Sequence, residues 1–231
     1  MSDLTQGIWS NWSGFQQSKP QQVLQPANIQ ELKSIVAQQQ KIRVVGAGHS
    51  FTPLVCTDAT LLSLDHIAGI ASTDHDRCQS SIYAGTRLYD LDQHLQQQSI
   101  NQALMNQGDI DQQSLAGAVS TGTHGTGADL HCISAYVEAF ELLTASGEIL
   151  KCSRTENSEI FAAGRVSLGS LGILTQITMQ NRPRYKLKEH IELCPVEDMV
   201  QHIQQWKHQH RHIECFVFSH EKQLMLKLSL I

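Results

Sequence analysis

An α+β fold made of small mixed sheets with helices at their periphery is what this sequence predicts, on three observations. Apolar residues recur at helical spacing in separated blocks, first at Ile29, Leu32, Ile35 and Val36 and again at Leu88, Leu91 and Leu95. Short β-branched or alternating runs lie between and after those blocks, bounded by Gly, Ser and Asp. Three glycine-rich segments, at residues 46–48, 117–127 and 169–172, break the pattern, and the first is not followed by a crossover helix. With 231 residues and 41% hydrophobic content, the chain can bury the core of one large domain or of one and a half.

The elements follow in order. Asn28 and Glu31 resemble a capping box, and the stripe behind them marks a helix that leads into a strand over Ile42–Val45 and then into the first glycine loop. Residues 61–64 and 81–84 read as strands, and Leu88, Leu91 and Leu95 as the buried face of a helix. Residues 135–144 and 148–153 read as a hairpin across Ser146-Gly147, 158–166 as a short helix and 173–179 as a closing strand. After Arg182-Pro183-Arg184 the character changes. Residues 186–193 read as a strand, 196–208 as a helix with Val196, Met199, Val200, Ile203 and Trp206 on one side, and 213–218 as another strand.

The first glycine segment carries the most chemistry. In Arg43-Val44-Val45-Gly46-Ala47-Gly48-His49-Ser50-Phe51-Thr52, the two glycines allow positive φ and close backbone approach, so successive N–H groups can face one concavity and hold a pyrophosphate. On these residues alone an ordinary tight turn is an equally good reading. A Rossmann loop needs a third glycine and a helix directly after it, whereas Thr52-Pro53-Leu54-Val55-Cys56-Thr57-Asp58 is too short and too β-branched for that helix. The Rossmann-like distance of Asp65 is then a coincidence. The second segment, Ser114-Leu115-Ala116-Gly117-Ala118-Val119-Ser120-Thr121-Gly122-Thr123-His124-Gly125-Thr126-Gly127, has two readings. It packs its backbone on a flat cofactor and offers hydroxyls and amides, or it forms a tight Ala/Gly helix followed by a turn.

These segments in combination, with Cys56-Thr57-Asp58 and Gly169-Ser170-Leu171-Gly172-Ile173, resemble the vanillyl-alcohol-oxidase (PCMH) type of FAD-binding domain. Within it the resemblance is to the sugar-1,4-lactone oxidases that act on D-arabinono- and L-gulono-lactones and to the alditol oxidases. It implies a two-subdomain FAD-binding fold over residues 12–183. Residues 184–231 would be the start of an α+β substrate (cap) domain, with the chain stopping well before the family's usual end. FAD is the implied cofactor, with Gly46, Ala47, Gly48, Ser50 and Phe51 wrapped about its pyrophosphate. His49 falls where many members bond covalently to the methyl group of the flavin's benzenoid ring, a task that suits a largely neutral imidazole. A hydrogen-bonding loop histidine is the plainer alternative.

Asp109, Ser114, Gly117, Thr121, Gly122, Thr123 and His124 fall where the family contacts the isoalloxazine and the phosphates, and Ile173 where a backbone segment meets the flavin or the adenine. A purely structural His124 is an equal reading. Gly108 falls beside the reactive part of the flavin, and a glycine there resembles the oxidases, which favours oxygen as acceptor. The implied reaction oxidises a hydroxyl of a sugar lactone or polyol and yields hydrogen peroxide. No catalytic residue is identifiable in this chain, because the charged residues that bind substrate in the family belong to the cap domain. A dehydrogenase of the same fold and a non-catalytic flavin-binding fragment are the alternatives.

Composition narrows the rest. A formal charge of −5 without a basic block argues against a nucleic-acid partner. The six cysteines are scattered, which suits a reducing compartment, and neither a basic leader nor a run long enough to span a bilayer is seen, so the expected location is the cytoplasm. His202, His208, His210 and His212 lack a Cys or acid partner at ligand spacing and read as a solvated helix end, favoured by the C-terminal dipole, with no metal site expected.

Overall fold

The computed structural model describes residues 4–5, 7–97, 101–218 and 220–230. Its N-terminal strands β1 (Leu4–Thr5), β2 (Ile8–Ser10) and β3 (Gln17–Ser18) form a small antiparallel meander. Next come β4 (Gln22–Leu24), helix α1 (Ile29–Gln38), β5 (Ile42–Val45) and β6 (Thr60–Ser63). The three strands make a parallel sheet in the order β4-β6-β5. Helix α1 starts where the sequence predicts it. Asn28 Oδ1 accepts from Glu31 N at 2.9 Å, and Glu31 Oε2 accepts from Ala27 N at 2.8 Å. Caps of this kind are worth about 1 kcal/mol.

The larger layer is a six-stranded antiparallel sheet. It comprises β7 (Ile70–Asp74), β8 (Gln79–Tyr83), β9 (Gln102–Leu104), β10 (Val137–Leu143), β11 (Ile149–Ser153) and β12 (Ile173–Pro183) in the order β11-β10-β12-β8-β7, with β9 also paired to β12. Helices α2 (Leu88–Gln97), α3 (Leu115–Ser120) and α4 (Ser158–Gly164) flank it. Leu88, Leu91 and Leu95 of α2 and Leu115, Ala118 and Val119 of α3 enter one core with Phe140, Ile177 and Met179. A second core ties the two layers together: Leu32 and Val36 of α1 meet Leu62 and Leu64 from one side and Leu143 and Ile173 from the other. Truncating a fully buried leucine such as Leu32 or Leu115 to alanine costs ~2–5 kcal/mol.

A third sheet holds β13 (Lys188–Pro195), β14 (His212–Val217) and β15 (Gln223–Leu230) in the order β13-β15-β14, packed on helix α5 (Val196–Gln209). The expected helix is present, and Val196, Met199 and Trp206 face the sheet while Val200 turns outward, 64% exposed. No element was expected at β15, yet it is the central strand, with Leu224 and Leu226 fully buried. Strands β7 and β9 were also unanticipated; β7 is short, polar and mostly exposed, so it carries little alternation to read.

Candidate functional site

Glycine segments contribute to the walls of two clefts. The first, of about 460 Å³, lies between the parallel sheet and the six-stranded sheet. Its wall begins where β5 ends: residues 46–50 line it, with Gly48 at φ +69°, a left-handed turn that glycine adopts without cost. The facing wall is the small-residue segment, through Ser114, Gly117 and Thr121, and residues 168–173 close the end, Ile173 included. Ser114 caps α3, its Oγ accepting from Gly117 N at 3.3 Å. A Cβ on Gly46 would collide with that same Oγ, so the two loops touch back to back only because position 46 is glycine. The second segment forms the tight helix, and the start of that helix lines the cleft.

The cleft suits a flat, anionic group. The amides of Ala47, Gly48, His49 and Ser50 have no intramolecular acceptor among the described residues, which leaves them as donors for phosphate oxygens. Asp65 is the single carboxylate in the lining among the described residues, and Arg87 neutralises it through an Nη2–Oδ1 contact of 2.5 Å. Asp65 and Arg87 were not anticipated as site residues; the alignment of Asp65 with a Rossmann acid hid a local charge pair.

His49 lines the cleft with one ring face against Trp12, centroids 5.4 Å apart and planes 10° from parallel. Neither ring nitrogen has a hydrogen-bond partner among the described residues. Burial, and then the charge of Arg87, hold its pKa below the ordinary imidazole value of 6.5, so the ring is neutral near pH 7. Phe51 stands outside the lining, exposed and edge-on to Trp12.

Not every expected residue lies in the first cleft. Gly122, at φ +65°, makes the turn after α3 and lines neither cleft. Gly108, Asp109 and His124 line a second cleft, of about 630 Å³, which opens between the six-stranded layer and the third sheet. His124 Nδ1 pairs with the Gly125 carbonyl at 3.0 Å. Thr123 stands between the two clefts. Its Oγ1 accepts from Gln113, a residue of the first cleft, at 3.0 Å, while its Cγ2 would lie 3.1 Å from a Cβ on Gly108 in the second.

The third sheet brings charge to the second cleft. Lys227 Nζ lies 3.2 Å from Glu189, 3.4 Å from Glu214 and 3.8 Å from Asp109, and these carboxylates, Glu189 foremost, raise its pKa. No sequence spacing signals this cluster, because Lys227, Glu189 and Glu214 meet through the pairing of β13, β15 and β14, and Asp109 joins them from the loop beside Gly108. His212 is a correction to the expected solvated helix end. It begins β14 and turns inward, its Nδ1 3.0 Å from Thr126 Oγ1 and 3.1 Å from the Thr126 carbonyl. Among the described residues no group of three or more His, Cys, Asp or Glu is arranged to hold a metal ion, and no helix is long and apolar enough to cross a membrane.

A family profile described as "FAD binding domain" matches residues 20–153. The chain belongs to that family. Among curated relatives of this FAD-binding chain, L-gulono-1,4-lactone dehydrogenase of Mycobacterium tuberculosis is 34% identical over 224 residues, covering 95% of this chain and 51% of the relative. L-gulonolactone oxidase of Bos taurus is 33% identical over 185 residues, 78% of this chain and 42% of the relative. D-arabinono-1,4-lactone oxidase of Candida albicans is 32% identical over 211 residues, 84% and 38% respectively. The chain thus spans about half the length of the curated relatives it matches, or less. In three dimensions it is similar to cholesterol oxidase from B. sterolicum, with a TM-score of 0.84, 19% identity and coverage of 98% of this chain and 48% of that one. That likeness is one of fold, an α+β arrangement of sheets with helices at their periphery.

Proposed function

We propose that this chain is the FAD-binding part, with the start of the substrate-binding part, of an enzyme that oxidises a hydroxyl of a sugar-1,4-lactone, with oxygen as the acceptor. The observation that carries the reading is that Thr123 packs between residues of the two clefts, Gln113 of the first and Gly108 of the second, the first cleft offering loop amides without an intramolecular acceptor among the described residues and the other lined with charged and hydroxyl-bonding groups. In this reading residues 12–183 form the cofactor domain and residues 184–231 the beginning of the cap. The amides of residues 47–50 hold the pyrophosphate, while Ser114, Gly117, Thr121 and Ile173 line the path of the cofactor. Asp109, Thr123 and His124 stand at its reactive end. When bound, FAD accepts hydride from the carbinol carbon, whose hydroxyl releases a proton, and oxygen then takes up two electrons and two protons to become hydrogen peroxide.

Lys227, Glu189, Glu214 and Asp109 offer donors and acceptors for the hydroxyls of a polar, uncharged substrate, and the pairing of Lys227 with carboxylates keeps the cleft from selecting a strong anion. His49 would hold the flavin covalently, its neutral imidazole serving as the nucleophile toward the ring methyl, with oxygen as the two-electron acceptor that such an attachment requires. The six free thiols support a reducing, cytoplasmic setting.

A second reading, a dehydrogenase that uses another acceptor, is favoured by the Mycobacterium tuberculosis relative, an L-gulono-1,4-lactone dehydrogenase. Anaerobic addition of L-gulono- or D-arabinono-1,4-lactone tests the substrate class. Loss of the yellow flavin absorbance supports it, and an unchanged spectrum with every lactone refutes it. Admission of oxygen then separates the two readings: rapid recovery of colour with stoichiometric peroxide belongs to the oxidase, and slow recovery to the dehydrogenase.

A further inference from the structure

Residues 8–18 precede the stretch matched by the family profile, yet they are built onto the loop that carries His49. Trp12 N donates to the Gly48 carbonyl at 3.1 Å, Asn11 Nδ2 to the Ser50 carbonyl at 3.0 Å and Gln16 Nε2 to the Phe51 carbonyl at 2.9 Å. Asn11 is only 4% exposed, and its Oδ1 accepts from Gln16 N at 3.1 Å and from Ser13 Oγ at 3.3 Å, so the clamp is itself held rigid. Behind it Trp9 is buried with Val45 and Leu61, which ties the meander to the strand that enters the loop.

This clamp fixes the backbone of residues 48–51 but not the rotation of the imidazole, whose nitrogens are unbonded. The stack on Trp12 does that. Imidazole lone pairs lie in the ring plane, so a ring laid nearly parallel to the indole presents its nitrogens edgewise and has one face covered. A nucleophile held in one orientation reacts far faster than one that rotates freely.

We infer that Trp12 is the positioning residue for covalent flavin attachment, acting through its stack on His49, with Asn11 and Gln16 holding the loop in register beneath it. The inference rests on the reading of His49 as the attachment point. Trp12 itself is 53% exposed, unlike Trp9 at 1%, so its removal leaves the core intact.

The test compares wild type, Trp12→Ala, Trp12→Phe and His49→Ala, each purified without flavin and mixed with saturating FAD in air. Two quantities are read: the dissociation constant for reversible FAD binding, and the rate at which flavin becomes resistant to acid precipitation. The expected result is near-wild-type reversible binding by Trp12→Ala, with attachment slowed about a hundredfold, and substantial recovery in Trp12→Phe, which keeps a stacking face. Attachment at the wild-type rate in Trp12→Ala overturns the inference while leaving the His49 reading intact. A parallel loss of reversible binding and attachment overturns it too, since Trp12 would then serve only the fold of the loop. Wild type that binds FAD but never attaches it overturns both the inference and the His49 reading.

Discussion

Gly46→Ala drives a methyl group into collision with Ser114 Oγ. Ser114 Cβ would lie 3.3 Å from the new atom, so the serine can stay in place only by rotating its hydroxyl away. That rotation sacrifices the cap on Gly117 N, worth about 1 kcal/mol. If the hydroxyl cannot turn, the loops are forced apart at an overpacking cost of ~1–3 kcal/mol. Gly46→Ala should therefore destabilise the protein by about 1–3 kcal/mol. Ser114→Gly removes the obstructing atoms, and glycine is nearly as good a cap residue, so it should cost only a few tenths of a kcal/mol. The double variant should then be more stable than Gly46→Ala alone by about 1–2 kcal/mol, a strong departure from additivity. Urea unfolding followed by far-UV circular dichroism reads all four proteins, with the midpoint interpreted only where the slope is unchanged. Additive effects would refute the claim that the two glycine segments touch through these atoms, and with it the geometry of the first cleft.

Gly108→Ala should fold, because its Cβ would have Thr123 Cγ2 at 3.1 Å, the His124 carbonyl at 3.5 Å and Gln113 Oε1 at 3.9 Å as its nearest neighbours, none of them closer than 3.0 Å. It should slow reoxidation of the flavin by oxygen about tenfold, ~1.4 kcal/mol, with turnover on an artificial acceptor preserved; stopped-flow reoxidation with unchanged oxygen reactivity would remove Gly108 from the oxygen path. Burial, then the Arg211 charge, lower the pKa of His212 in the fold from the ordinary 6.5, against the opposing Thr126 bond and Glu214 charge. The unfolded chain therefore binds the extra proton first. The stability that His212 contributes is complete above its ordinary value and is lost as pH falls from there through the lower folded value. Urea midpoints measured at about pH 5 and about pH 7 should diverge more in wild type than in His212→Asn, and equal divergence would show that another group dominates.

The glycine loop, the capped helix α1 and the Ser146-Gly147 hairpin were legible because each rests on local chemistry, namely positive φ, a side-chain cap or a tight turn. The alternative of a Rossmann fold could be set aside from Pro53 and the missing third glycine alone. What the sequence hid is non-local. The alternation of Leu224, Leu226 and Leu228 was visible, but its place as the central strand depends on partners on both sides. The Lys227 cluster draws one residue from each of three strands and one from a loop beside Gly108, with no spacing that could announce it. Asp109 and His124 were grouped with the cofactor loops by motif, whereas both line the second cleft, His124 after the turn at Gly122 and Asp109 from the loop that follows β9.

The most direct measurement is acid precipitation of the purified protein beside its His49→Ala variant, with flavin fluorescence read in the pellet and in the supernatant. The account predicts that flavin stays with the wild-type protein in the pellet and that His49→Ala releases all of its flavin into the supernatant as intact FAD. Flavin found entirely in the supernatant for both proteins would leave the cleft as a reversible FAD site and contradict the role given to His49. A wild-type protein that takes up no flavin at all would contradict the account of the first cleft.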